Sequence, residues 1–245
     1  MDLYEIIKKV ANDLFDKVKE KLNVEQNIIL AFDEGLGTRI ESSDKGLTLY
    51  IGLPQTVSII YGMNQLSEAD SHKEYCKTLE TPSLLSRDSV KNIDVNLIRV
   101  VLLEHILHEM GHACYQHHKK EQCYLDEFEA DNFCNTKVRI FRDIVNDLPS
   151  LWYDCWFVEF VLCPGGGDNY PMMVDRIPKM VSVFGEYDSL LKKMMERLRT
   201  FCDKDKIPSA SGQLYEDLEE LCKAIKSGIK SDLPDTDWID NQCDN

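Results

Sequence analysis

Between residues 100 and 112 the chain reads VVLLEHILHEMGH, closing on His108-Glu109-Met110-Gly111-His112. On a helix of about 3.6 residues per turn, positions four apart lie about 40° apart on one face, so both imidazoles can aim at one point. Two neutral imidazoles so placed suit zinc. Glu109 follows the first of them at the edge of the same face. There it can reach a zinc-activated water without ligating the metal, which is the position of a general base.

Zinc held by two histidines needs a third protein ligand if one position is to stay open for water. The acidic run Glu127-Phe128-Glu129-Ala130-Asp131 lies fifteen residues beyond His112 and supplies Glu127 for that place. On a helix Glu127 and Asp131 share a face, which lets Asp131 accept a hydrogen bond from the far nitrogen of a ligand histidine and fix its tautomer. Glu129 points about 200° away from Glu127, and with Asp126 it reads as solvated helix surface. Five of the six histidines fall between His105 and His118. His105 is expected in the core or behind the ligands; His117 and His118 read as a helix end and turn.

HEMGHA followed by EFEADNF resembles the gluzincin metallopeptidases of the minimal-domain kind, whose motifs read HELGH and E-x-E-A-[DN]-x-F. These include soluble ImmA/IrrE-type peptidases, which cleave repressor-like proteins, and membrane-bound prenyl-protein and heat-shock endopeptidases. The resemblance covers residues 94–140. It implies zinc on His108, His112 and Glu127, with Glu109 as base. Further on, NYPMMVDRI is similar to a His-Pro…Arg-Ile element of some soluble relatives. Tyr170 stands where their histidine does, a phenol able to donate to a developing oxyanion.

The motif helix is expected from Asp94, an N-cap, onward, and its apolar run requires burial on all sides. Residues 2–22 carry Leu3, Ile6, Ile7, Val10, Leu14, Val18 and Leu22 at three- and four-residue steps, the stripe of an amphipathic helix. Three β-prone runs, 28–32, 38–41 and 47–51, separated by glycine-bearing turns, predict a small antiparallel meander beside the motif helix. Such a sheet can merely cover the helix, or it can offer an edge to an extended substrate. Residues 54–66 predict a short helix and 67–92 a loop or lid. The Glu127 helix is expected to run to about Val145, with helices at 151–162, 178–202 and 214–229 after it. CPGGGDNYP reads as a mobile loop. The fold class is therefore α+β and mainly helical, a zincin-like core at 1–148, a helical extension packed on it at 149–230 and an acidic tail at 231–245.

The net charge of −15 argues against nucleic acid or an anionic membrane as partner and permits a basic peptide or protein substrate. Nine cysteines, an odd number without a C-x-x-C pair, argue against a disulfide framework, and with no secretory-signal pattern or apolar span they predict a cytoplasmic protein. Two functions fit: a zinc peptidase, or a non-catalytic metal-binding regulatory or interaction protein. Glu109 separates them, because a structural zinc site needs no carboxylate beside its first histidine.

Overall fold

The computed structural model describes residues 2–35, 37–44, 46–68, 93–120, 123–162, 165–167, 170–172 and 176. These are mainly helical: α1 (Leu3–Lys21), α2 (Leu53–Glu68), α3 (Val95–Cys114), α4 (Tyr124–Lys137) and α5 (Leu148–Leu162), with strands β1 (Ile28–Asp33), β2 (Arg39–Ser43) and β3 (Gly46–Gly52) and a hairpin of β4 (Gly165–Gly167) and β5 (Tyr170–Met172). The helices expected at 178–202 and 214–229, the acidic tail and residues 69–92 lie outside the described residues.

The apolar stripe of α1 is realised: Leu3, Ile7, Leu14 and Val18 are buried and Ile6, Val10 and Leu22 pack partly against the same core. The Asp2 carboxylate accepts from Tyr4 N at 3.4 Å, and Lys19 and Lys21 occupy the last turn, where cations complement the helix dipole.

The sheet is mixed, which corrects the expected antiparallel meander. Its order is β1-β3-β2: β2 and β3 form an antiparallel hairpin, and β1 lies parallel to β3 on the other side. The reason is burial. β3 buries Leu47, Leu49 and Ile51 and takes the centre, whereas β2 ends in the exposed Glu41, Ser42 and Ser43 and suits an outer position. The loop after β1, pinned by Gly35 N donating to Asp33 Oδ1 at 2.7 Å, carries the chain across to the far edge.

α3 begins at the expected residue, Asp94, whose side chain accepts from Asn96 N at 2.9 Å. From Val100 to Leu103, and again at Ile106, Leu107 and Met110, its apolar side chains are fully buried, so it is the central strut of the molecule. α1, α2, α4 and α5 pack around it, and β2 and β3 lie beside it. α4 stops at Lys137 and passes into a 3-10 turn, Val138–Phe141, shorter than the expected run to Val145. That turn still buries Val138 and Phe141. α5 contributes Trp152, Trp156 and Phe157 to the same core. CPGGGDNYP, expected as a mobile loop, holds the β4–β5 hairpin, in which Gly165 pairs with Met172 and Gly167 with Tyr170.

Candidate metal centre

Glycine at position 111 lets α3 and α4 approach closely. A Cβ built there would meet Ala130 Cα at 2.9 Å and Ala130 O at 3.1 Å, inside ordinary contact distance. One turn before Ala130 on α4 is Glu127, so this crossing brings its carboxylate onto the histidine face of α3.

The three expected ligands meet. His108 Nε2 and His112 Nε2 are 3.1 Å apart, and Glu127 Oε2 and Oε1 lie 3.3 and 3.5 Å from them respectively. A tetrahedral zinc with bonds of about 2.05 Å has ligand edges of about 3.3–3.4 Å, so the donor set fits that ion in kind and spacing. Of the three ligands only His108 is more than a tenth exposed, at 12%.

The far nitrogens also have close neighbours. His108 Nδ1 lies 3.0 Å from Asp131 Oδ1, the residue expected beside it, though outside hydrogen-bond geometry. His112 Nδ1 lies 2.9 Å from His117 Nδ1, and His117 Nε2 lies 2.8 Å from Glu129 Oε2. One proton pattern satisfies this chain with lone pairs on both converging Nε2 atoms: His112 Nδ1–H donates to His117 Nδ1, and His117 Nε2–H donates to Glu129. His117 does occupy a turn, a 3-10 segment of His117–Lys119 reached through Gln116 at φ 60°, but it is 4% exposed and folded back under His112. Glu129 stays on the solvated surface as expected, its side chain 41% exposed, while its Oε2 braces His117. Asp126 is corrected from solvated surface: it is buried, accepting from Cys123 N at 2.9 Å and paired with Lys120 Nζ at 2.7 Å.

Burial and charge set the protonation states. Burial lowers His108, but the close carboxylates of Asp131 and Glu127 outweigh it and hold the ring well above the ordinary histidine range. Burial and the charge of His108 press His112 down to about 3. Burial raises Glu127, yet the hydrogen bond and charge of His108 leave it below the usual carboxylate range. Glu109, buried and close enough to feel Glu127 and Glu104, is pushed up to about 7 by burial first and those charges next, while His108 and a hydrogen bond from Ile40 N act the other way.

These residues line a cavity of about 360 Å3, which also reaches Thr38, the β2 residues Arg39 and Ile40, and Glu104, His105 and Glu159. His105 is buried behind the ligands, its Nδ1 3.3 Å from Thr38 Oγ1 and 3.3 Å from Thr56 Oγ1. Tyr170 sits in β5, and its side chain lies outside the described residues.

Several residues at the centre are ones that sequence reasoning passed over. Arg176 clamps Asp131 in a bidentate pair, Nε to Oδ2 and Nη2 to Oδ1, both at 2.6 Å, and its guanidinium lies 5.4 Å from the Trp156 ring centre. The asparagine-to-isoleucine element NYPMMVDRI contains it, so the signal was the arginine, not only the tyrosine. Glu104 and Glu159 each interrupt an almost wholly apolar helix, and an acid in such a run asks for a partner inside the fold.

Comparison with protein-family models, with curated proteins and with solved structures found no match for this chain.

Proposed function

We propose that this chain is a zinc-dependent peptidase, of the zincin kind, that hydrolyses extended peptide or protein segments with Glu109 as general base. The observation that carries the reading is geometric: donor atoms of His108, His112 and Glu127 converge at zinc spacing, and Glu109 lines the same cavity without being one of them. Burial raises its carboxyl toward neutrality, which suits a group that takes and returns a proton.

Zinc, when bound by His108, His112 and Glu127, would supply Lewis-acid polarisation of a carbonyl and acidification of water. Glu109 would receive the proton of the attacking water and deliver it to the amine nitrogen as the peptide bond breaks. Burial shields the carboxylate from bulk water. Asp131 and the His117–Glu129 pair hold the two imidazoles as lone-pair donors. β2, an outer strand of the sheet, borders the cavity with Arg39 and Ile40, and Thr38 just before it does too, which favours a substrate lying extended along this edge.

The test is Glu109→Gln, which leaves the ligands and the side-chain volume intact. A substrate is first found by incubating the protein with a cytoplasmic extract and mapping new termini. The variant is expected to keep zinc and its melting temperature while turnover falls by about 10²- to 10⁴-fold. Equal cleavage by both proteins would overturn the assignment and favour a non-catalytic metal-binding role.

A further inference from the structure

In the same cavity, Glu104, His105 and Glu159 bring one nitrogen and two carboxylates together. His105 is 4% exposed, and its Nε2 has no hydrogen-bond partner. That atom lies 3.8 Å from Glu104 Oε2 and 3.8 Å from Glu159 Oε1, too far for a hydrogen bond to either.

The other ring nitrogen decides what Nε2 presents. Thr56 Oγ1 donates its single proton to Gly52 O at 2.9 Å, so toward His105 Nδ1 it acts as an acceptor. With the ring proton on Nδ1, where Thr56 Oγ1 and Thr38 Oγ1 can both accept, Nε2 offers a lone pair to the two carboxylates. Glu104 and Glu159 can share a proton, which still leaves Nε2 unmet, whereas a cation between the three satisfies all of them.

We propose that Glu104, His105 and Glu159 form a second metal site, taking a divalent cation for which Mn2+ is the probe. With two edges of 3.8 Å and the third no longer than 4.8 Å, the point equidistant from the three atoms lies at most about 2.5 Å from each. That distance is within reach of a metal–ligand bond to a divalent ion. One imidazole with two carboxylates matches manganese better than calcium, which takes oxygen alone.

Charge points the same way. Glu104, Glu109, Glu127, Asp131 and Glu159 place five buried or nearly buried carboxylates around this centre, against one guanidinium, Arg176. Arg39 and Lys120, which also line the cavity, are paired with Asp33, Glu41 and Asp126. An added dication is favoured by this excess of acidic groups; the geometry of the second site does not rest on the zinc reading above.

The test uses the full chain, stripped by chelation, loaded with one equivalent of zinc and titrated with Mn2+. Electron paramagnetic resonance reads the free ion, and elemental analysis reads both metals. Wild type is expected to bind one Mn2+ beyond its zinc. The near-isosteric pair His105→Asn/Glu159→Gln is expected to bind none while keeping its zinc. A His108→Ala/His112→Ala protein is expected to lose the zinc and keep the Mn2+, so that failure of the first site and failure of the second are told apart. Melting curves confirm folding of each variant, and Glu159→Gln alone serves if the double variant does not fold. No Mn2+ bound by wild type would overturn the proposal, as would Mn2+ retained by the Glu159 variants, since the ion would then sit elsewhere, for instance at His117, Asp126 and Glu129.

Discussion

Gly111→Ala separates the fold from the metal centre. The added Cβ would lie 2.9 Å from Ala130 Cα, 3.1 Å from Ala130 O and 3.1 Å from Phe133 Cβ. Carbon atoms prefer about 3.5–4.0 Å, and two of these neighbours belong to the α4 backbone, which cannot swing aside. α3 and α4 must part by about 0.6–1 Å to restore contact distance. For the fold this is a modest loss: overpacking costs about 1–3 kcal/mol, and alanine returns about 1 kcal/mol of helix propensity. The zinc-free variant should melt no more than a few degrees below wild type. For the metal the same shift is severe, because Glu127 rides on α4 and ligand distances tolerate only about 0.2 Å. Zinc affinity, measured by competition with a chromophoric chelator, should fall at least about 100-fold, beyond the loss expected from disturbing an outer-shell group. The melting-temperature rise on adding zinc should shrink with it. A variant with wild-type zinc affinity would refute the idea that this backbone contact sets the ligand spacing.

His117→Ala deprives His112 Nδ1 of its acceptor at 2.9 Å and should weaken zinc by about 10- to 100-fold with little effect on the zinc-free melting temperature; unchanged affinity would break the proton chain drawn through Glu129. Arg176→Ala strands the buried Asp131 carboxylate and should destabilise the protein by about 3–5 kcal/mol. Arg176→Ala/Asp131→Asn should recover part of that loss in chemical denaturation, and strict additivity would argue against the pair. The zinc increment in melting temperature should grow with pH. In zinc-free protein the folded value of His108 is raised, so its contribution is complete below the unfolded value of about 6.5 and is lost as pH rises through the folded one, whereas zinc requires the neutral ring. An increment that stays flat or shrinks between pH 5.5 and 8.5 would contradict this sign.

The sequence made legible what helical periodicity controls. His108, His112, Glu127 and Asp131 depend on spacing within two helices, and all four meet in the structure. It was less informative where contacts join distant segments. The parallel pairing of β1 with β3 follows from which strand is most apolar overall, a comparison between strands that the pattern within each does not display. His117 lies in HHKKEQC, whose polarity suggests solvent, and only the turn through Gln116 brings it under His112. Arg176 lies 45 residues beyond Asp131, and no local rule pairs them.

Arg176 also gives the protein an internal optical sensor. Its guanidinium joins Asp131 on one side and lies over the Trp156 ring on the other, while Asp131 touches His108. Loading a cation at His108 changes the field on Asp131, and thereby the charge poised above an indole two contacts away. Trp152 is packed beside Trp156 with ring centres 6.5 Å apart, so the two emit as neighbours from the core. The third tryptophan of the chain, Trp238, belongs to the acidic tail sequence and can be replaced by phenylalanine to remove its background. Binding of a cation at the histidine cluster would then be readable as a shift in intrinsic fluorescence, with no label and no substrate.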